Sequence, residues 1–232
     1  MSKPQEGMVN TQSEGQSSQL AWSEIHELRQ QFRTVFPRIQ KLPVVASLTA
    51  WLARQVWRRY QQTHTRIRVL DVGASDRNLL VKINQCAAMI EYKSQDVDRR
   101  QKHDYYSLAE IAETFDLVVA AEVIEHLPAS AVPAFVKELY RLTSPGGRVV
   151  LTTPNVCHPT IFWRDFSHQT PIHYYDLAGL LSYGGYTDIA IYRLTKLTLY
   201  KRLTAWWYAA LLDLLHCDFA QSIMAVATKP QA

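Results

Sequence analysis

Phe115-Asp-Leu-Val-Val-Ala-Ala-Glu-Val-Ile-Glu-His-Leu127 is the stretch on which the reading of this chain turns. Leu117 to Ala121 is apolar without alternation, as in a strand covered on both faces of a sheet. It ends abruptly in a charged segment. Downstream, Pro128 to Leu142 has helical periodicity, Ser144-Pro-Gly-Gly147 is a turn, and Arg148 to Thr153 is a strand closed by Pro154. Upstream, Ile67 to Val72 is a β-branched run that stops at Gly73. Leu79 to Ala88 reads as a helix, and Met89 to Gln95 as a strand stopping at Asp96. Towards the end of the chain, Tyr175 to Ser182 is a short helix ended by Gly184-Gly185, and Thr187 to Leu194 and Ser222 to Thr228 are two last strands. Strands alternating with helices predict an α/β fold, a mostly parallel sheet with helices on both faces. Ligands of such sheets sit at the carboxyl ends of the strands. The loops after Val72, Gln95, Ala121 and Thr153 are therefore where chemistry is expected.

The 232 residues suit one domain with additions. With 47% hydrophobic and 20% charged residues, disordered and fibrous classes are excluded. Cys86, Cys157 and Cys217 are widely spaced and odd in number, which argues against a disulfide framework or a zinc cluster and for a reducing, cytoplasmic setting. A net charge of +4 fits an anionic partner or a membrane surface without requiring nucleic acid. Residues 1–18 read as a disordered polar tail, 19–64 as N-terminal helices, and 65–232 as the main domain with a helical insertion at 194–220. The helices are predicted over Trp22–Phe36 and Pro43–Tyr60. Between Trp22 and Arg68 stand nine Lys/Arg against two Glu, either a solvated basic face or a surface that meets phosphates or anionic lipid.

Four segments carry the chemistry. Val69-Leu-Asp-Val-Gly-Ala-Ser-Asp76 delivers Asp71 and lets the chain turn at Gly73. Asp96 ends the next strand, where a carboxylate can take both hydroxyls of a ribose. The third and fourth are FDLVVAAEVIEHL and SPGGRVVLTTPN. In this order and spacing they resemble the class I S-adenosylmethionine-dependent methyltransferases, from about Arg66 to Pro230. The branch they resemble holds ubiquinone-pathway, glycan and small-RNA O-methyltransferases.

The resemblance implies a Rossmann-like sheet of seven strands whose last strand is antiparallel, and S-adenosyl-L-methionine as cofactor. It implies that Asp71, Gly73 and Ala74 lie under the methionine part and that Asp96 holds the ribose. Ala121 and Glu122 would line the pocket beside the reacting methyl group. Ser75 and Arg77 stand where the family usually has its second and third glycines, so Arg77 is expected to point outward. Only about 20 residues separate Asp96 from Asp116, so that edge of the sheet should be trimmed.

Glu122, Glu125 and His126 share one face of a helical turn, and His168 enters from the loop after the next strand. These residues can bind a divalent cation such as Mg2+, as in the small-RNA enzymes, or act without metal through a histidine base, as in the glycan enzymes. They can also be purely structural. His173 is a further candidate base. The insertion, with Leu203, Trp206, Trp207, Tyr208, Leu211, Leu212, Leu214 and Leu215 behind Lys196, Lys201 and Arg202, either packs on the domain, lids a greasy acceptor or lies on a membrane interface. The expected function is O-methylation of a small-molecule, glycan or lipid-linked acceptor. A non-catalytic interaction module and a metal-dependent RNA 2′-O-methyltransferase are the alternatives. A nicotinamide oxidoreductase is disfavoured because Gly-x-Gly-x-x-Gly is absent after the first strand.

Overall fold

The computed structural model describes residues 11–196 and 210–231. Seven strands form one sheet: β1 Val44–Val45, β2 Ile67–Val72, β3 Ile90–Gln95, β4 Phe115–Ala121, β5 Thr143–Pro154, β6 Thr187–Leu194 and β7 Ser222–Thr228. Their order is β1-β6-β7-β5-β4-β2-β3. The pairs β2–β3, β2–β4 and β4–β5 are parallel, and β7 runs antiparallel between β5 and β6. This is the Rossmann-like sheet expected from the sequence.

The strand count is seven, but the seventh strand has an unexpected source. Residues 97–114 contribute one parallel bridge, Gln95 to Tyr105, so the sheet ends at β3 as the short spacing required. The opposite edge gains β1, which pairs with Arg193 and Leu194 of β6. The sequence reading had put Val44 and Val45 in a helix starting at Pro43. That helix, α2, instead spans Leu48–Thr63, because Ser47 is its N-cap and accepts from the Ala50 N–H.

Helix α1 spans Thr11–Val35, starting well before the expected Trp22. The remaining helices are α3 Asn78–Lys82, α4 Val132–Leu142 and α5 Tyr174–Tyr183. The helix expected over Leu79–Ala88 is broken into α3 and a 3-10 segment, Asn84–Met89. Residues 197–209 of the insertion lie outside the described residues; within the described part, residues 210–214 are helical, and Asp213 pairs with Arg38.

Strand alternation divides the core into two layers. Leu70, Val72, Val118, Ala120, Val149 and Leu151 pack with α4 and α5 on one face, whereas Val69, Leu117, Val119 and Val150 pack with α2 on the other. Both faces are thus covered, and sheets of this kind take ligands at the loops that follow the carboxyl ends of the strands.

Candidate active site

Because β3, β2 and β4 are neighbours, their carboxyl ends bring Asp96, Asp71 and Glu122 around one cleft. Asp71 is 3% exposed and accepts a 2.6 Å hydrogen bond from the Tyr92 hydroxyl. Burial pushes its pKa up to about 6 against that hydrogen bond, and the nearby Asp96 charge adds to the rise.

The turn after β2 is tied down by Gly73 and Ala74, whose N–H groups donate to the Gln95 carbonyl at 2.9 and 3.0 Å. Gly73 has φ +69°, and a Cβ there would stand 2.4 Å from Val123 Cγ2. The glycine is therefore required by the loop after β4 as well as by the turn. Ser75 and Arg77 have φ +43° and +59°. The backbone keeps left-handed turns at the two positions where the family places glycine, with L side chains carrying the strain. Asp96 braces this loop: its Oδ2 accepts from the Ser75 N–H at 2.7 Å, and its Oδ1 from the Asp98 N–H at 2.8 Å.

Arg77 corrects one expectation. It does not point outward. Its guanidinium lies 5.6 Å from the centre of the Tyr92 ring, donates to the Lys102 carbonyl, and stands 3.7 Å from Asp104. The Tyr92 face and the Asp104 charge, both supplied by β3 and its loop, draw it in over the edge of the cleft. Asp104 is itself held by the Ser94 N–H and hydroxyl, at 2.9 and 3.0 Å.

Ala121 ends β4, and Glu122 follows with φ +55°. The Glu122 N–H donates to the Thr152 carbonyl and hydroxyl, at 3.0 and 3.1 Å, which anchors the turn to β5. Burial holds the Glu122 carboxyl above its ordinary range despite the Thr152 and Ser222 hydroxyls.

Glu125, His126 and His168 come together: one potential ligand atom from each lies within 4.8 Å of the others. Glu122 is not a member of this group. Glu125 is fully buried, neither carboxylate oxygen has a well-aligned hydrogen bond although the Thr153 hydroxyl lies near enough to oppose the rise of its pKa, and its Oε1 is 3.9 Å from His126 Nε2. Burial raises its pKa to about 8, and the Glu122 charge adds to this.

The two imidazoles are oriented alike. His168 Nδ1 lies 2.7 Å from the Phe162 carbonyl, so it carries the proton and leaves Nε2 as the free lone pair. His126 Nδ1 lies 3.1 Å from Ser167 Oγ, whose hydroxyl donates to Asp165 at 2.6 Å. A hydroxyl that spends its proton on Asp165 accepts from His126, so His126 also presents Nε2. The rings sit 4.9 Å apart. His173 does not join them. It is the N-cap of α5, with Nδ1 accepting from the Tyr175 N–H at 3.2 Å.

Tyr92 and the Ser167–Asp165 relay escaped the sequence reading. Tyr92 has no motif around it, and its role depends on the β2–β3 register.

This arrangement is that of a Rossmann-like S-adenosylmethionine-dependent methyltransferase fold. A family model described as methyltransferase domain matches residues 40–221, and the chain belongs to that family. Among solved structures it is similar to a SAM-dependent methyltransferase from Archaeoglobus fulgidus. The TM-score is 0.56 at 18% identity, over 78% of this chain and 94% of that one. It is also similar to the N-methyltransferase NodS from Bradyrhizobium japonicum WM9, with TM-score 0.51, 15% identity, and 78% and 96% of the two chains covered. A third likeness is to the DszA carbon methyltransferase, with TM-score 0.53, 14% identity, and 79% and 54% covered. No curated protein matches the chain. Since neighbours named for nitrogen and carbon acceptors share the fold, the fold does not choose the acceptor atom.

Proposed function

We propose that this S-adenosylmethionine-dependent methyltransferase methylates an oxygen of a small-molecule, glycan or lipid-linked acceptor, with His126 and His168 taking the acceptor proton. The observation that carries this reading is the shared tautomer of the two imidazoles, which leaves two basic Nε2 atoms beside Glu125 at the end of β4. An oxygen nucleophile needs its proton removed, and a neutral imidazole does this near neutral pH.

The cleft suits the cofactor. Each Asp96 oxygen keeps a lone pair for a ribose hydroxyl after accepting one backbone N–H, while Asp71, buried against Tyr92, shapes the turn beside it. When bound, the cofactor supplies a methyl group already activated on sulfur, so the chain's task is to align the acceptor and exclude water.

The orphaned oxygens of Glu125 favour a second use of the same Nε2 lone pairs, in place of their action as bases. Glu125, His126 and His168 would hold a divalent cation, which would lower the pKa of an acceptor hydroxyl. Each histidine donates its other N–H to an oxygen, as metal-ligating histidines do. Two imidazoles and one carboxylate suit manganese, iron or zinc better than Mg2+.

Cell extract incubated with the protein and deuterated cofactor, then read by mass spectrometry, tests the reading. A labelled O-methyl product is expected, reduced at least a hundredfold in His126→Ala and His168→Ala, while calorimetric binding of S-adenosylhomocysteine stays within twofold. An N-methyl product overturns the oxygen assignment, and full activity in both variants overturns the histidine role. Metal analysis separates the two uses: one equivalent in the parent and none in Glu125→Gln supports the cation. Undiminished transfer by chelated protein leaves the histidines acting alone.

A further inference from the structure

The amino ends of the central strands, at the opposite pole from the cleft, hold a cavity of about 280 Å3. Its polar lining comes from Gln55, Arg58, Arg59 and Gln62 of α2, Asp116 at the start of β4, and Arg148 of β5. Three guanidinium groups therefore face one carboxylate. That carboxylate is already spent. Asp116 Oδ1 accepts from Arg59 at 3.1 Å and Oδ2 from the Arg68 N–H at 2.9 Å. Arg58 and Arg148 are left as an excess of two positive charges around a concave surface.

Two of the forks are preset. Arg59 is pinned between the Gly146 carbonyl, at 3.1 Å, and Asp116. Arg148 donates to Gln55 Oε1 at 3.1 Å. A planar guanidinium held in place loses little freedom on meeting a tetrahedral oxyanion, and it can bind it through two parallel N–H groups. The cavity contains no lysine, so the recognition on offer is that of a fork and not of a point charge. The apolar lining is limited to Val56, Ile67 and Leu117, which excludes a greasy ligand. Arg54, one turn before Arg58 on the same helix, extends the positive field outward, and no carboxylate on α2 opposes it.

We propose that this groove binds a phosphate-bearing ligand of charge −2 or more, held chiefly by Arg58 and Arg148 with Arg59 as the fixed wall. The site is independent of the methyl-transfer reading. Two sources share this chemistry, a soluble phosphorylated compound and the headgroup of an anionic lipid.

Calorimetry with inorganic pyrophosphate tests the proposal on the full chain. Saturable binding is expected, weakening steeply with added salt. It should fall at least tenfold in the double variant Arg58→Gln/Arg148→Gln, whose two side chains lie at the surface and bond no backbone group. Thermal unfolding by circular dichroism within about 2 °C of the parent confirms that the variant is folded. Arg148→Lys, which keeps the charge and loses the fork, should fall partway. Flotation with phosphatidylglycerol vesicles against phosphatidylcholine vesicles separates the sources. Binding to the former that is lost in the double variant identifies the headgroup, and pyrophosphate binding without flotation identifies a soluble compound. Absent pyrophosphate binding, undiminished binding in the double variant, or retention of an RNA oligonucleotide in place of pyrophosphate would each overturn the assignment.

Discussion

Asp96 is engaged before any ligand arrives. One oxygen holds the Ser75 N–H and the other the Asp98 N–H, so the same carboxylate shapes the turn after β2 and offers its remaining lone pairs to the cleft. Asp96→Ala therefore removes a brace and a ligand contact together. We expect calorimetric affinity for S-adenosylhomocysteine to fall at least tenfold, in line with about 1.5–3 kcal/mol for hydrogen bonds to a charged group. Asp96→Asn, which keeps one acceptor, should lie between the two. Equal affinity in parent and Asp96→Ala would sink the ribose assignment. At this scale the sequence revealed what depended on one strand end: Asp71 and Gly73 close the β-branched run from Ile67, and Asp96 ends the strand read over Met89 to Gln95. Arg77 could not be read in the same way. Its inward turn depends on Tyr92 and Asp104, which reach it only through the pairing of β2 with β3. Cross-strand neighbours of this kind leave no local pattern.

Helix α5 shows how an element is started by a titratable group. Its N-cap is His173, and capping needs the Nδ1 lone pair to receive the Tyr175 N–H. Burial pushes the His173 pKa down from 6.5 to about 4, helped by the Arg29 charge. The folded chain thus keeps this ring neutral where the unfolded chain would protonate it. Stability contributed by the cap is complete above about pH 6.5 and is lost as pH falls towards 4. At pH 5 the loss amounts to about 2 kcal/mol. His173→Asn keeps an acceptor and removes the titration. Its melting temperature should drop less between pH 7 and pH 5 than the parent's, by about 4–8 °C. Equal drops in the two proteins would show that the ring does not control the acid limb. Three strands of the sheet were legible to the residue, Phe115–Ala121, Thr187–Leu194 and Ser222–Thr228, whereas β5 starts at Thr143 and takes in Ser144–Gly147, which the sequence had as a turn before a strand from Arg148. Apolar runs bounded by turn residues carry that signal. β1 was hidden because two valines form no run. Only Arg193 and Leu194, some 150 residues downstream, make them a strand. The approach of His168 to Glu125 and His126 was readable from its loop position, but the helical turn that would have added Glu122 is absent, since Glu122 has φ +55° and only Ile124–His126 form a 3-10 turn. The exclusion of Glu122 from the cluster followed from its turn onto Thr152, which spacing does not encode.

At the scale of the whole molecule, the N-terminal helix is part of the domain. Ile25 is buried in the layer formed by α4, α5 and the sheet, and Arg29 pairs with Asp176 of α5 at 3.1 Å. The two helices approach closely because α5 offers Gly179 at the crossing, where a Cβ would stand 3.0 Å from the Ile25 carbonyl and 3.2 Å from the Arg29 N. Both are backbone atoms, and backbone does not yield as a flexible side chain would. A larger residue must push α1 away while leaving α5 on the sheet, since Leu177, Leu180 and Leu181 stay buried beneath it. Gly179→Leu is therefore expected to separate two stabilities that are coupled in the parent. Amide exchange over residues 22–35 should accelerate at least tenfold, while protection of β2, β4 and β5 changes little. His173 and Arg29 meet at the same junction, so α1 release should also relieve the charge that helps to keep His173 neutral. The acid limb of stability should then move to lower pH in Gly179→Leu than the drop in melting temperature alone would give. If exchange in α1 and in β4 accelerated together, the helix would be bound into one cooperative unit with the sheet, and the cleft loops would share its stability.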